Sequence, residues 1–380
     1  MDKNLAILDI GSGKLAFTVG YKSNSGIFVI KNFADVQYSG YFDKQFVEPE
    51  RLASDISAVI NKSGYRGSLS NVYVGVPTDF LKIENNSIFS SFPREKYITR
   101  AMLDQMHEEG NIFGRSSDYV VINSSATEYI VNNTFPTLSP VGTKASDIRA
   151  NLSYIYCEKS FCELLDSALR QNGCHKAHYI SSVQAIANQL IPQEVRQGGA
   201  VVVDVGFVNA SFGYIKGDGL AYLSSLSVGG GNIADDLAYA MDIDFEDAYD
   251  FFGKINLNQD LTPMATYSVV SKGEMLNFGA MEVNEIVTAR LDYFCEWIMN
   301  ELKFMDKPLP INAPIYMTGG SLTSIRGALS YMQKQLERKI TVLTADLPQY
   351  DQPKYSSTIA MLDMASEINN SQSLFRRIFG

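Results

Sequence analysis

Two stretches of the chain carry the same pattern of apolar and polar positions. "LAILDIGSGKLAFTVG", from Leu5, and "AVVVDVGFVNASFGYI", from Ala200, each run an apolar strand into an Asp-x-Gly turn and out into a second strand. Short apolar runs bounded by turn residues predict buried strands. The repetition predicts two halves built alike. After the first hairpin, "GIFVIKNFADVQYSGYF" reads as a third strand. A helix is expected from about Pro49, with Leu52, Ile56, Val59 and Ile60 at helical spacing, and "NVYVGVP" is a buried strand closed by Pro77.

From Lys82 to Cys157 the pattern changes. "KIENNSIFSSF", "DYVVINSSATEYIVNNT" and "RANLSYIYC" alternate as half-exposed strands do, around one helix, "ITRAMLDQMHEEG", with Thr99 as its cap and Gly110 as its stop. Alternating helices and strands then resume. They comprise helix "KSFCELLDSALRQNG", strand "HYISSV", helix "QAIANQLI", the Asp204 hairpin, a mixed helical stretch over 232–305, strand "APIYMTGG", helix "SIRGALSYMQKQLE", strand "KITVLT" and helix "STIAMLDMAS". The expected division is 1–81 and 158–192 for a first α/β domain and 82–157 for an α+β insertion. A second domain covers 193–366, including a helical subdomain 232–305, and residues 367–380 are a polar linker and tail.

Length and charge narrow the classes. At 380 residues the chain exceeds one ordinary core, so two domains are expected. The net charge is −10 and no long run of Lys or Arg occurs, which argues against nucleic-acid binding. Cys157, Cys162, Cys174 and Cys295 lack paired spacing, and His107, His175 and His178 form no ligand set with them, so buried reduced thiols are expected. The start shows no secretory signal pattern, and no apolar run approaches the roughly 18 residues of a membrane span. A cytoplasmic protein is expected.

The hairpins carry the candidate chemistry. A tight glycine turn presents backbone N–H groups that a phosphate can approach closely. Asp9 and Asp204, at the strand ends, would repel phosphate directly but would hold its charge through Mg²⁺ or water. Lys14 adds a point charge beside the first turn. One Asp-x-Gly is a weak signal. Two of them, with "MTGGS" (Met317–Ser321) after a third strand, are far more specific.

This set resembles the actin-like ATPase superfamily. "LDIGSGK" resembles its first phosphate loop, "VDVGFVNAS" the second, and "YMTGGS" the adenosine loop. Within the superfamily the chain resembles the FtsA family. "ITRAMLDQMHEEG", "ATEYIVNN" and "SPVG" are similar to that family's insertion subdomain, "SVGGGNIADDLAYAM" to the segment after its second phosphate hairpin, "EIVTARLDYF" to its adenosine-side helix and "YSSTIAMLDMAS" to its closing helix. The resemblance implies an α/β, actin-like duplicated two-domain fold with an FtsA-type α+β insertion. It implies ATP or ADP with Mg²⁺ at Asp9, Gly11, Ser12, Gly13, Lys14, Asp204, Gly206, Asn209, Gly229, Gly230, Glu285, Gly319, Gly320 and Ser321, the two aspartates reaching the metal through water.

The chain departs from the family in the second loop. Phe207, Val208 and Asn209 stand in place of small residues and Thr, and Ala234 in place of Thr. Side chains at Phe207 and Val208 are expected to crowd a γ-phosphate, so hydrolysis should be slow or absent; an empty cleft is the alternative. Asp235 and Asp236 sit where a helix favours acids anyway. Glu285 and Arg290 fit two readings equally, as flanks of an adenosine or as surface residues of an amphipathic helix.

The chain ends in "SLFRRIFG". On a helix, Leu374, Phe375, Ile378 and Phe379 fall mostly on one side and Arg376 and Arg377 on the other, which suits an anionic membrane surface. It also matches the membrane-targeting helix of the FtsA family. The family further implies self-association into filaments on the inner membrane face and binding of the carboxy-terminal peptide of FtsZ on 232–305. Two rivals remain. One is the related PilM type, which binds a membrane protein's cytoplasmic peptide; the other is a kinase of the same superfamily.

Overall fold

A computed structural model describes residues 4–23, 25–112, 118–259, 261–305 and 313–379, with 371–379 described by backbone alone. By packing, the chain divides into two units. One is Met1–Ala200 with Gly213–Leu223 and Ser357–Gly380; the other is Val201–Phe212 with Ser224–Ser356.

The first unit opens with the meander β1 (Leu5–Ile10), β2 (Lys14–Lys22) and β3 (Phe28–Gln37), then the short pair β4 (Tyr41–Phe42) and β5 (Gln45–Phe46). Helix α1 (Leu52–Lys62) follows, and β6 (Asn71–Val76) returns parallel to β1. Leu52, Ile56 and Val59 are buried, as their spacing predicts.

The half-exposed segment supplies β7 (Leu81–Tyr97), α2 (Arg100–Glu109), β8 (Tyr119–Val131), β9 (Pro136–Thr137) and β10 (Lys144–Glu158). Its sheet runs β7-β10-β8-β9, with Leu103 and Met106 of α2 in its core. Thr99 Oγ1 accepts from Met102 N at 3.3 Å, so the expected cap is present. The chain continues through α3 (Lys159–Gln171), β11 (Lys176–Ser181), α4 (Ser182–Leu190) and α5 (Gln193–Gly198). β11 completes the main sheet, ordered β11-β6-β1-β2-β3.

The second sheet runs β14-β13-β12-β17-β18. It is built from β12 (Ala200–Val205), β13 (Ala210–Lys216), β14 (Gly219–Leu226), β17 (Ile315–Thr318) and β18 (Ile340–Val342). The end of the β13–β14 hairpin, 213–223, groups with the first unit. Between β14 and β17 lie α6 (Gly230–Met241), α7 (Phe245–Asp250), the pair β15 (Thr266–Ser271) and β16 (Glu274–Gly279), and α8 (Ala280–Phe304). Helix α9 (Ala328–Leu336) precedes β18, and α10 (Ser356–Phe379) closes the chain.

Two differences from the sequence reading have local causes. The stretch 232–305 contains a β-hairpin, because Lys272 and Gly273 both take positive φ (51° and 81°), the geometry of a two-residue hairpin turn. The segment 367–373, expected as a linker, continues α10: from Ser356 to Phe379 the chain holds no Gly or Pro to stop a helix. The tail side chains of Leu374, Phe375, Arg376, Arg377, Ile378 and Phe379 lie outside the described residues. Among the described residues, no helix is long and apolar enough to cross a membrane.

Candidate functional site

Both Asp-x-Gly turns close in the same way. Gly11 N donates to Lys14 O at 2.9 Å, and Gly206 N donates to Asn209 O at 2.9 Å. Each turn follows the carboxyl end of a strand with a parallel neighbour, β6 beside β1 and β17 beside β12. In open parallel sheets such strand ends are where ligands bind.

In the first unit, Tyr38 fixes the loop. Its N–H donates to Gly13 O at 3.2 Å and its hydroxyl to Gly11 O at 2.8 Å. Two carbonyl oxygens that would repel a phosphate are thereby engaged. Gly40, at φ 74°, lies so close to buried Ser12 that a Cβ there would stand 1.9 Å from Ser12 O. Neither Tyr38 nor Gly40 stands out in the sequence, although the "YSG" turn carries the signal. Asp9 is partly buried, and Thr358 Oγ1 at the start of α10 donates to its Oδ2 at 2.9 Å. Burial pushes the Asp9 carboxyl up from its ordinary value; the Thr358 hydrogen bond and the Lys14 charge offset part of that. Lys14 Nζ rests 3.1 Å from Asp35 Oδ2 on the next strand, a half-exposed pair of little net strength. It is therefore free to exchange Asp35 for an incoming anion at small cost.

The second unit gathers three of the predicted segments. Gly206 O accepts from Gly230 N at 3.0 Å and from Ser321 Oγ at 3.3 Å, and Phe207 O accepts from Gly231 N at 2.6 Å. Gly229 N is capped by Asn232 Oδ1 at 2.9 Å. A Cβ on Gly230 would stand 1.9 Å from Ser321 Cβ, and one on Gly229 2.4 Å from Phe207 O. Gly319 takes φ 97°, and a Cβ there would meet Val205 O at 2.1 Å; at Gly320 it would meet Lys354 Cβ at 2.9 Å. These glycines let the turn, the start of α6 and the end of β17 pack backbone to backbone. Gly319→Ala should lower stability by about 1–3 kcal/mol, the cost of a non-glycine residue held at positive φ. A urea titration reads it directly, and an unchanged midpoint would show that the β17 end yields freely.

Phe207 and Arg290 both have partners on neighbouring helices. The Phe207 ring packs edge-on against Phe245 (centroids 5.8 Å) and Tyr249 (5.6 Å) of α7, and its edge lies over Gly231, where a Cβ would stand 3.2 Å from Cε2. The carbonyls of Gly206 and Phe207 also oppose an anion here, since they already hold the N–H groups of Gly230 and Gly231 at the start of α6. The Arg290 guanidinium forks Asp236 with Nε–Oδ2 and Nη2–Oδ1 both at 2.8 Å, which ties α8 to α6. Glu285 lies exposed on α8, where its carbonyl accepts from Thr288 Oγ1 at 3.2 Å.

All four cysteines are buried and reduced. His107 bridges Ser124 Oγ at 2.5 Å and Tyr129 Oη at 2.9 Å, and burial lowers its pKa, which favours neutral imidazole. Among the described residues, no cluster of His, Cys, Asp or Glu forms a metal cage.

No protein-family model matches the chain. Curated relatives do. The cell division protein FtsA of Streptococcus pneumoniae serotype 2 is 20% identical over 372 residues, 95% of this chain and 80% of that protein. The cell division protein FtsA of Pseudomonas aeruginosa is 19% identical over 340 residues, 87% of this chain and 81% of its own length. Among solved structures, a PilM–PilN type IV pilus biogenesis complex superposes with a TM-score of 0.65 at 13% identity, covering 96% of this chain and 99% of that one. MreB5 of Spiroplasma citri bound to ADP gives 0.59 at 9% identity, covering 100% of this chain and 99% of that one. The fold is that of the actin-like ATPases.

Proposed function

We propose that this FtsA-like chain, built on the actin-like ATPase fold, binds an adenine nucleotide and works in cell division as a membrane-associated filament that tethers FtsZ. The likeness to cell division proteins FtsA over 95% of the chain carries the reading. The doubled Asp-x-Gly hairpin supports it, with both turns closed by the same hydrogen bond. We read 82–157 as the FtsA-type insertion and 232–305 as the subdomain that receives the FtsZ carboxy-terminal peptide. The tail from Leu374 to Phe379 is read as the membrane contact on the cytoplasmic face.

The reading assigns phosphate contacts to Gly11–Lys14 in the first unit; in the second unit it assigns phosphate contacts to Gly206–Asn209 with Gly229 and Gly230, and adenosine contacts to Gly319–Ser321. The reading puts Mg²⁺, held through water, at Asp9 and Asp204; Asp9 is partly buried, and the Thr358 hydroxyl bonded to its Oδ2 at 2.9 Å holds the carboxylate in place. Bound Mg²⁺ would neutralise polyphosphate charge. Asp9→Ala should weaken ADP binding at least tenfold in calorimetry with Mg²⁺, on the scale of about 1.5–3 kcal/mol for a hydrogen bond to a charged group. Lys14→Ala should weaken it less, because Asp35 already shares that charge. Absence of heat for ATP and ADP with the wild-type chain would sink the nucleotide reading.

The second reading is favoured by the PilM–PilN likeness, a TM-score of 0.65 across 96% of the chain. In that reading the chain is a PilM-like adaptor for a membrane protein's cytoplasmic peptide. Pull-down against an FtsZ tail peptide, a PilN-type peptide and anionic vesicles separates the two. FtsZ peptide with vesicles supports the first reading; the PilN-type peptide alone supports the second.

A further inference from the structure

Phe207 is the residue by which the second phosphate loop departs most from its family, and its surroundings give it work. Its carbonyl takes Gly231 N at 2.6 Å while Gly206 O takes Gly230 N at 3.0 Å. Its ring lies edge-on to both Phe245 and Tyr249, and those two rings stack on each other at 6.2 Å. Tyr249 in turn meets Phe252 at 5.2 Å. Asp247 Oδ2, on the same short helix, accepts from Ser271 Oγ of β15 at 2.6 Å. An unbroken set of contacts therefore runs from the loop through α7 to the β15–β16 hairpin.

A phosphate oxygen at the start of α6 and the loop carbonyls compete for the same two N–H groups. An anion that wins them must displace the 206–207 backbone, and the Phe207 ring moves with that backbone. α7 has only the residues Phe245–Asp250, and the Phe207 ring meets two of its aromatic side chains, so a shift of the ring removes part of the packing of a short helix. We propose that Phe207 is a positioning residue that couples nucleotide phosphate at the second loop to the order of the α7–β15 segment. The proposal rests on the nucleotide reading and adds its regulation: the packing of α7 reports whether the loop is filled.

Hydrogen exchange with and without ADP and Mg²⁺, with calorimetry on the same samples, tests it. In the wild-type chain, ADP should speed exchange across 245–254 by roughly two- to tenfold for each aromatic pair released. In Phe207→Ala samples that give ADP heat, exchange across 245–254 should already be fast and no longer respond. Phe207→Tyr, which keeps the ring, should restore the response. Tyr249→Ala opens the same slot from the α7 side and should behave like Phe207→Ala, which decides the matter if that loop variant fails to fold. ADP heat without any change at 245–254 in the wild-type chain overturns the coupling alone, as does a full response in both alanine variants. No ADP heat in the wild-type chain overturns the nucleotide reading and the coupling with it.

Discussion

Replacing Arg196 with alanine is expected to cost about 3 kcal/mol of stability. The guanidinium is almost fully inside the first unit, its side chain 9% exposed. Nε donates to Gly217 O at 3.0 Å, Nη1 to Asn188 O at 2.8 Å and Ile191 O at 2.5 Å, and Nη2 to Asp218 Oδ1 at 2.8 Å. Removing it strands buried carbonyls that water cannot reach. The Asp218 carboxylate adds little to the loss, because its side chain is 43% exposed and keeps its hydration. The carbonyls decide the size of the effect. They belong to the end of α4 and to the β13–β14 turn, and that turn is pressed onto β8 and β10. A Cβ on Gly217 would stand 2.3 Å from Thr127 O, Lys216 Nζ lies 2.6 Å from Glu128 Oε2, and Ser153 Oγ donates to Leu220 O. Arg196→Ala should therefore free the turn as well, exposing 213–223 to limited proteolysis, while Arg196→Lys should lose less. A urea midpoint within about 0.5 kcal/mol of wild type, the scale of an ordinary surface change, would mean that water replaces the guanidinium there.

Arg196 shows where the sequence stops being legible. Its partners span α4 and a turn about twenty residues onward, and nothing in "QEVRQGG" marks an arginine as buried. The doubled hairpin was readable because its chemistry is local: Asp, Gly and the closing residue lie within six positions, and both copies close identically. Helix α2 was readable from Thr99 and Gly110 for the same reason. The fold class followed from those repeats and from the alternation of helix and strand, and the likeness to actin-like structures agrees with it. The site's finer geometry depends on distant partners. Thr358 and Asp9 are 349 positions apart, so the hydrogen bond that orients the first aspartate leaves no pattern to find. The direction of the Phe207 ring is set by Phe245 and Tyr249, which belong to another helix. Read by position alone, Phe207 is an obstruction; its neighbours on α7 make it an anchor as well. The β15–β16 hairpin escaped because its strands are short and its turn is Lys272–Gly273 rather than a strong turn pair such as Asn-Gly.

Deleting residues 373–380 is expected to abolish sedimentation with anionic vesicles while leaving the fold and nucleotide binding unchanged. At helical spacing, Leu374, Phe375, Ile378 and Phe379 form one apolar side, and each would contribute roughly 1.5–3 kcal/mol if fully withdrawn from water. Confining the segment at a surface offsets much of that gain, since a single small anchor gives only reversible binding. Arg376 and Arg377 each add about 1 kcal/mol near anionic lipid. The net is weak, reversible attachment for one chain, and linked copies along a filament multiply it by effective concentration. Three variants separate the contributions. Phe375→Glu should match the deletion, because it places a charge in the apolar side and repels anionic lipid. Arg376→Ala with Arg377→Ala should reduce binding on anionic vesicles and change little on neutral ones. Raising salt should weaken the wild-type chain toward that double variant, since exposed charges are screened over about 8 Å at physiological ionic strength. If the truncated chain pellets with anionic vesicles as fully as the intact one, the membrane contact lies elsewhere and the tail is only a helix end.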